Sequence, residues 1–247
     1  MSTNYAGWLL GPLAGGYLYV YGAEMPFWLA TATIILCAAL VVLCIPKDEV
    51  DQDKAPESVV RAIKDNNSLG LLSKPGIMPL MVFHFFMSLG LNAFYEFYPL
   101  WLVEVYQYTA RDIAWLTVAT TAAMITASAL FVTAISRRSK PLVLLTISTG
   151  LLALSFVSMP SVKPTLIIFV FPLSGMLIAS INGVFPAFMS ERYGEFGQGR
   201  VMGLITTSFC LANVVISIVG SLIALFGSEW ALYCGASLMF LASFIMF

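Results

Sequence analysis

GWLLGPLAGG, residues 7–16, puts four glycines and a proline into what otherwise reads as the start of an apolar helix. In a water-soluble helix each interior glycine costs about 1 kcal/mol and a proline about 3. In a bilayer the same residues become usable: glycines let a second helix approach closely, and neighbouring groups can satisfy the carbonyl a proline leaves free. Composition decides which solvent applies. Sixty per cent of the 247 residues are hydrophobic and only 10% are charged, against about 25% charged in a soluble chain. Mean hydropathy is +0.90. Of the 25 charged side chains, 11 fall between Lys47 and Lys74, so the remainder is almost charge-free over long runs. The sequence is that of an integral membrane protein.

A helix that crosses the hydrocarbon layer needs roughly 20 apolar residues. Eight such spans are expected, at about 6–22, 27–45, 77–103, 112–135, 141–159, 164–189, 201–225 and 229–247. Short polar breaks such as SRRSK (136–140), PSVKP (160–164) and ERYGEFGQGR (191–200) separate them. If the 46–75 stretch, SRRSK and ERYGEFGQGR share one side, that side holds Lys47, Lys54, Arg61, Lys64, Lys74, Arg137, Arg138, Lys140, Arg192 and Arg200. The opposite side keeps only Arg111 and Lys163. The positive-inside rule makes the rich side cytoplasmic, and an inner (plasma) membrane is the expected location. Within the 46–75 stretch, PESVVRAIKDN has the pattern of a short amphipathic helix lying along the surface.

Several classes find no support in the residues. No basic patch with interleaved aromatics speaks for nucleic acid. No G-x-S-x-G, H-E-x-x-H or Walker loop speaks for an enzyme. Cys37, Cys44, Cys210 and Cys234 all lie in apolar runs without a CxxC pair, so buried inert thiols are expected, with neither metal nor cofactor.

Gly7-x-x-x-Gly11-Pro12-x-x-Gly15-Gly16 resembles the antiporter motif on the fifth helix of major facilitator superfamily transporters, in the drug:proton antiporter, tetracycline-efflux-like branch. Pro186-Ala187, followed by Gln198-Gly199 and Gly203, is similar to the segment joining helices ten and eleven in the same branch. The resemblance implies an all-α polytopic transmembrane bundle holding helices five to twelve. Residues 1–45 are then the last two helices of the N-terminal half, 46–75 the central cytoplasmic linker, and 76–247 the six-helix C-terminal half. The basic loop Arg137, Arg138, Lys140 falls between helices eight and nine. The family's first four helices, with their acidic residues and charged loop motif, have no counterpart here. The implied partners are the lipid bilayer, a small-molecule substrate, protons and the missing N-terminal helices of the same transporter.

The spacing of Gly7, Gly11 and Gly15 lines one helix face with no side chains, and Gly16 extends it. Close packing alone would explain that face; a role in sealing the two halves against leakage is what the resemblance adds. Ionisable groups well inside a span are costly and mark function by default. One span carries them: His84, Ser88, Asn92 and Glu96 recur every four residues as a slowly drifting stripe, with Tyr95 beside it and Pro99 just beyond. The stripe marks a water-filled cavity, with Glu96 as the candidate proton site and the bland alternative of a carboxylate at the interface. For His84 a structural hydrogen bond competes with a coupling role. Asn182 and Asn213 are further candidates for the cavity wall, while Thr117, Thr120, Thr121 and Thr126 read as hydroxyls bonded to their own backbone or to a neighbouring helix. Phe85, Phe94, Tyr95, Phe97 and Tyr98 suit a flat, apolar ligand, with an interfacial aromatic belt as the bland alternative. The reading is a secondary transporter working by alternating access, with proton-coupled efflux implied by the resemblance, here as a fragment. Its rivals are a channel or non-transporting scaffold and an inactive truncated product.

Overall fold

The computed structural model describes residues 2–44, 68–132 and 140–246. These residues form eight long helices and no strand: α1 (Ser2–Leu18), α2 (Met25–Cys44), α3 (Ile77–Tyr106), α4 (Ala110–Thr126, extended by wider turns over Ala127–Val132), α5 (Pro141–Ser158), α6 (Pro164–Tyr193), α7 (Gln198–Ala224) and α8 (Ser228–Ile245). Seven of the eight are long and apolar enough to cross a membrane. The exception is α1, whose 17 residues rise only about 25 Å. A 3-10 turn over Tyr19–Tyr21 extends it before Gly22 breaks the helix. The amphipathic helix expected within 46–75 lies outside the described residues, as do Arg137 and Arg138; Ser68–Ser73 form a short 3-10 turn.

Helix ends follow local chemistry. At the start of α4, Thr109 and Asp112 form a reciprocal capping box, which moves the expected boundary from 112 back to Ala110. Prolines occupy the first turns of α5 and α6, where their missing N–H groups are no loss. Gly227, at φ +130°, adopts a backbone open to few other residues and lets the chain reverse into α8. Prolines within α1 (Pro12) and α3 (Pro99) leave both helices continuous.

The bundle is built around α3, which packs on α7 and α8; α5 joins α8 to α6, and α6 joins α4. In lipid, apolar side chains gain little by leaving solvent, so close backbone approach decides which faces meet. Glycines supply that approach. A Cβ at Gly90 of α3 would collide with Met239 and lie 2.7 Å from the Gly235 carbonyl of α8. One at Gly175 of α6 would lie 2.6 Å from the Thr120 carbonyl of α4, and one at Gly220 of α7 would lie 2.5 Å from the Phe97 ring of α3. Outside this six-helix unit, α1 packs on α4 through Gly16, where a Cβ would lie 2.7 Å from that of Ala114.

Among the described residues nothing lies within 4 Å of a Cβ added at Gly7, Gly11 or Gly15, so no helix of this chain packs on the expected glycine face. The neighbour helix meets α1 one residue round from the stripe, at Gly16. Nor are the cysteines buried. Cys37, Cys44 and Cys210 are exposed and Cys234 is half-buried, all as free thiols. On membrane helices an apolar run faces lipid as readily as core, so apolar surroundings in sequence do not imply burial.

The loops gather at two ends. At one, Lys74 lies over the Phe196 ring and Gly203 packs on Ser68. At the other, the Tyr106 hydroxyl donates to the Val162 carbonyl at 2.6 Å and Ser228 donates to Glu104.

Candidate functional site

Where α1 meets the six-helix unit, α1, α3, α4 and α6 enclose a cavity of 360 Å³. Gly7 and Pro12 form its α1 wall; Phe94, Tyr95 and Tyr98 come from α3, Thr117, Thr120, Thr121 and Met124 from α4, and Phe171 from α6. The lack of a side chain at Gly7, which served no packing purpose above, leaves room here. A second cavity of 460 Å³ continues along α1 past Gly15 and Gly16, sharing Pro12, Tyr98 and Thr117 with the first.

The aromatic wall is a fixed assembly. Phe94, fully buried, stacks on Tyr98 at 4.9 Å and on Phe156 of α5 at 4.4 Å between ring centroids. Phe171 meets Tyr98 edge-on at 5.4 Å. The polar wall has a definite sense. Thr117, Thr120 and Thr121 each donate to the carbonyl four residues back, at 2.8 Å. With the Thr117 hydrogen so engaged, the Tyr98 hydroxyl is the donor in its 2.9 Å contact with Thr117. A hydroxyl has one hydrogen and two acceptor sites, so these threonines offer a ligand acceptors and few donors. The cavity therefore presents ring faces on one wall and hydroxyl acceptors on the other.

Of the expected polar stripe, only Tyr95 reaches this cavity. His84 lies inside the bundle, stacked on Phe185 of α6 at 4.7 Å with its Nδ1 3.1 Å from the Ser208 hydroxyl of α7. Ser88 and Asn92 are buried, and among the described residues neither Ser88 Oγ nor Asn92 Nδ2 meets a hydrogen-bond partner. Glu96 has turned to an exposed face, where Ser217 of α7 donates to its Oε1 at 2.8 Å. Asn213 stands beside the pair, its Oδ1 3.4 Å from the same hydroxyl. Asn182 is half-buried on α6, and Lys140 is exposed at the start of α5. Phe171 and Met124 were not legible as site residues; each is one of many apolar residues on its helix. Among the described residues no group of three His, Cys, Asp or Glu side chains stands ready to hold a metal.

The Major Facilitator Superfamily model matches residues 1–217. The chain belongs to that superfamily. Among curated proteins it is similar to the Multidrug resistance protein 2 of Bacillus subtilis (strain 168), 27% identical over 217 residues, which cover 84% of this chain and 52% of the relative. The chain thus spans about half the length of the curated relative it matches. With seven helices long and apolar enough to span, this superfamily member is a multi-pass integral membrane protein.

Proposed function

We propose that this chain is the C-terminal six-helix half, with the last two helices of the N-terminal half, of a secondary transporter that exports small, flat, largely apolar molecules by alternating access. The cavity between α1 and the six-helix unit carries the reading: it lies where two rocking halves would meet, and its lining is aromatic on one wall and acceptor-rich on the other. The relative's name, a multidrug resistance protein, agrees with export and with an undemanding apolar site. Proton antiport is the proposed coupling, with Glu96 as its carboxylate.

Two surfaces favour a longer native protein. Helix α2 is apolar apart from Thr31 and Thr33 and buries none of its residues, and the Glu96–Ser217–Asn213 group lies exposed on a membrane-spanning face. Facing lipid, such a group would be costly. Further helices would cover it, in keeping with a cytoplasmic 46–75 linker at mid-protein.

The test starts from native membranes, with an antibody against residues 46–75. A band about 15–20 kDa above the 26.9 kDa of this chain, the weight of roughly four more spans and their loops, is expected. Everted vesicles carrying that protein should then accumulate a fluorescent aromatic dye when acidified inside, and lose it on adding a protonophore. A band at the chain's own mass with no dye movement would overturn the transport reading in favour of a non-transporting or inactive product.

A further inference from the structure

At the end of the bundle remote from residue 77, a groove of 510 Å³ opens between the α3–α4 loop and α6. We propose that it is a binding site for a quaternary ammonium group, separate from the cavity on the other side of α4. Asp112, Trp115, Leu116 and Ala119 recur at helical spacing and make one wall. The residues of α4 that line the two cavities described above, from Ala110 through Thr117 to Met124, lie on its opposite face.

The lining has the chemistry of an organic-cation site: rings and one carboxylate. Tyr106, Tyr108 and Trp115 present aromatic surface, and Asp112 is the only charged residue among the groove's lining side chains. A quaternary ammonium is attracted to ring faces and cannot donate hydrogen bonds, so rings plus a carboxylate recognise it where hydroxyls alone would not. The charge is available. Thr109 donates both its N–H, at 2.9 Å, and its hydroxyl, at 2.6 Å, to a single oxygen, Oδ2 of Asp112, and among the described residues no donor meets Oδ1. The neighbouring Arg111 directs its guanidinium over the Tyr17 ring of α1, 5.5 Å from the centroid, and does not line the groove.

The walls are also held in place before any ligand arrives. The Tyr106 hydroxyl is tied to the Val162 carbonyl at 2.6 Å, and its ring stands edge-on to Trp101 at 5.2 Å. Tyr108 stands at 47° to Tyr106, with centroids 6.0 Å apart, so the two rings form an angle and not a flat stack. Gln107 sits at φ +58° and closes α3 by donating its N–H to Val103, while Tyr108 donates to Leu102. A loop so fixed loses little freedom on binding. An interfacial belt of Tyr and Trp needs neither the carboxylate nor this fixed angle.

The experiment uses the purified full chain in detergent and two probes, choline and its neutral isostere 3,3-dimethyl-1-butanol, with affinities read by saturation-transfer NMR. Choline should bind about tenfold more tightly than the isostere, and Asp112→Asn should weaken choline by about fivefold to tenfold while leaving the isostere unchanged. Because Asp112 also caps α4, Trp115→Leu and Tyr108→Leu serve as second variants: each keeps the helix cap and removes a ring, and each should weaken choline by a few-fold with an unaltered circular dichroism spectrum. Equal affinity for the two probes, or choline binding unaffected by all three substitutions, overturns the proposal. Repeating the titration in nanodiscs identifies the source. Competition from phosphatidylcholine, absent with phosphatidylglycerol, assigns the site to a lipid headgroup; equal choline affinity in both assigns it to a free cation.

Discussion

Gly90 and Gly235 face one another across α3 and α8 at a contact where an added methyl group has nowhere to go, while Gly11 on α1 has open space around it. The same substitution should therefore have opposite weight at two glycines of one chain. Gly90→Ala forces Met239 and the α8 backbone apart and should cost about 1–3 kcal/mol, whereas Gly11→Ala should stay within about 0.5 kcal/mol. Thermal melts of the purified protein in detergent check both; a Gly11 variant as unstable as the Gly90 variant would restore the packing face first expected for α1. Spacing showed that Gly7, Gly11 and Gly15 share a face, but a face is only an opportunity. Which helix arrives at it depends on the whole bundle, and here α4 arrives at Gly16 instead. Gly90 and Gly235 are the single glycines of their helices, while Gly175 shares α6 with Gly183 and Gly220 shares α7 with Gly199 and Gly203; none of the four belongs to a run of four-residue repeats that would announce it.

Along α3 the expected stripe is present, yet it does not face one environment. Four-residue spacing advances 400° around a helix, so each step drifts about 40° and the three steps from His84 to Glu96 turn the stripe by about 120°. That drift carries it from the interior, against Phe185 and Ser208, to the exposed contact with Ser217 of α7. The period was legible in the sequence; the partners on α6 and α7 were not, because they lie about 100 residues or more away in the chain. Between α3 and α4 the link is the Tyr98–Thr117 hydrogen bond at the cavity wall. Tyr98→Phe keeps the stack on Phe94 and removes only that bond. It should lower stability by no more than about 1 kcal/mol, leaving the melting temperature nearly unchanged. Tyr98→Ala also removes the ring that packs on Phe94 and Phe171, so dye affinity in the vesicle assay should fall at least about fivefold. Equal dye affinity in the alanine variant and the parent would take Tyr98 out of the substrate cavity.

At the scale of the molecule, the sequence divides the basic residues unevenly between two alternating sets of loops, proposed to lie on opposite sides of the membrane. Under the proposed orientation, Lys140 and Gln107 lie on opposite sides of the membrane. In a background with the four native cysteines replaced, Lys140→Cys should react with a membrane-impermeant maleimide in everted vesicles only, and Gln107→Cys in intact cells only. The reverse pattern would turn the protein over without altering its fold. Proton coupling is the last element of the transport reading, and it turns on Glu96, whose Ser217 partner ties α3 to α7. If the carboxylate carries the proton, a neutral side chain of the same shape keeps the hydrogen bond but cannot exchange charge. Glu96→Gln in the native-length protein should then abolish pH-driven dye accumulation while leaving dye binding and exchange across vesicles without a gradient intact. Loss of both would make Glu96 a structural tie between α3 and α7. Loss of neither would move the proton site to helices beyond this chain, since among the described residues no other carboxylate lies at mid-span on α3 to α8.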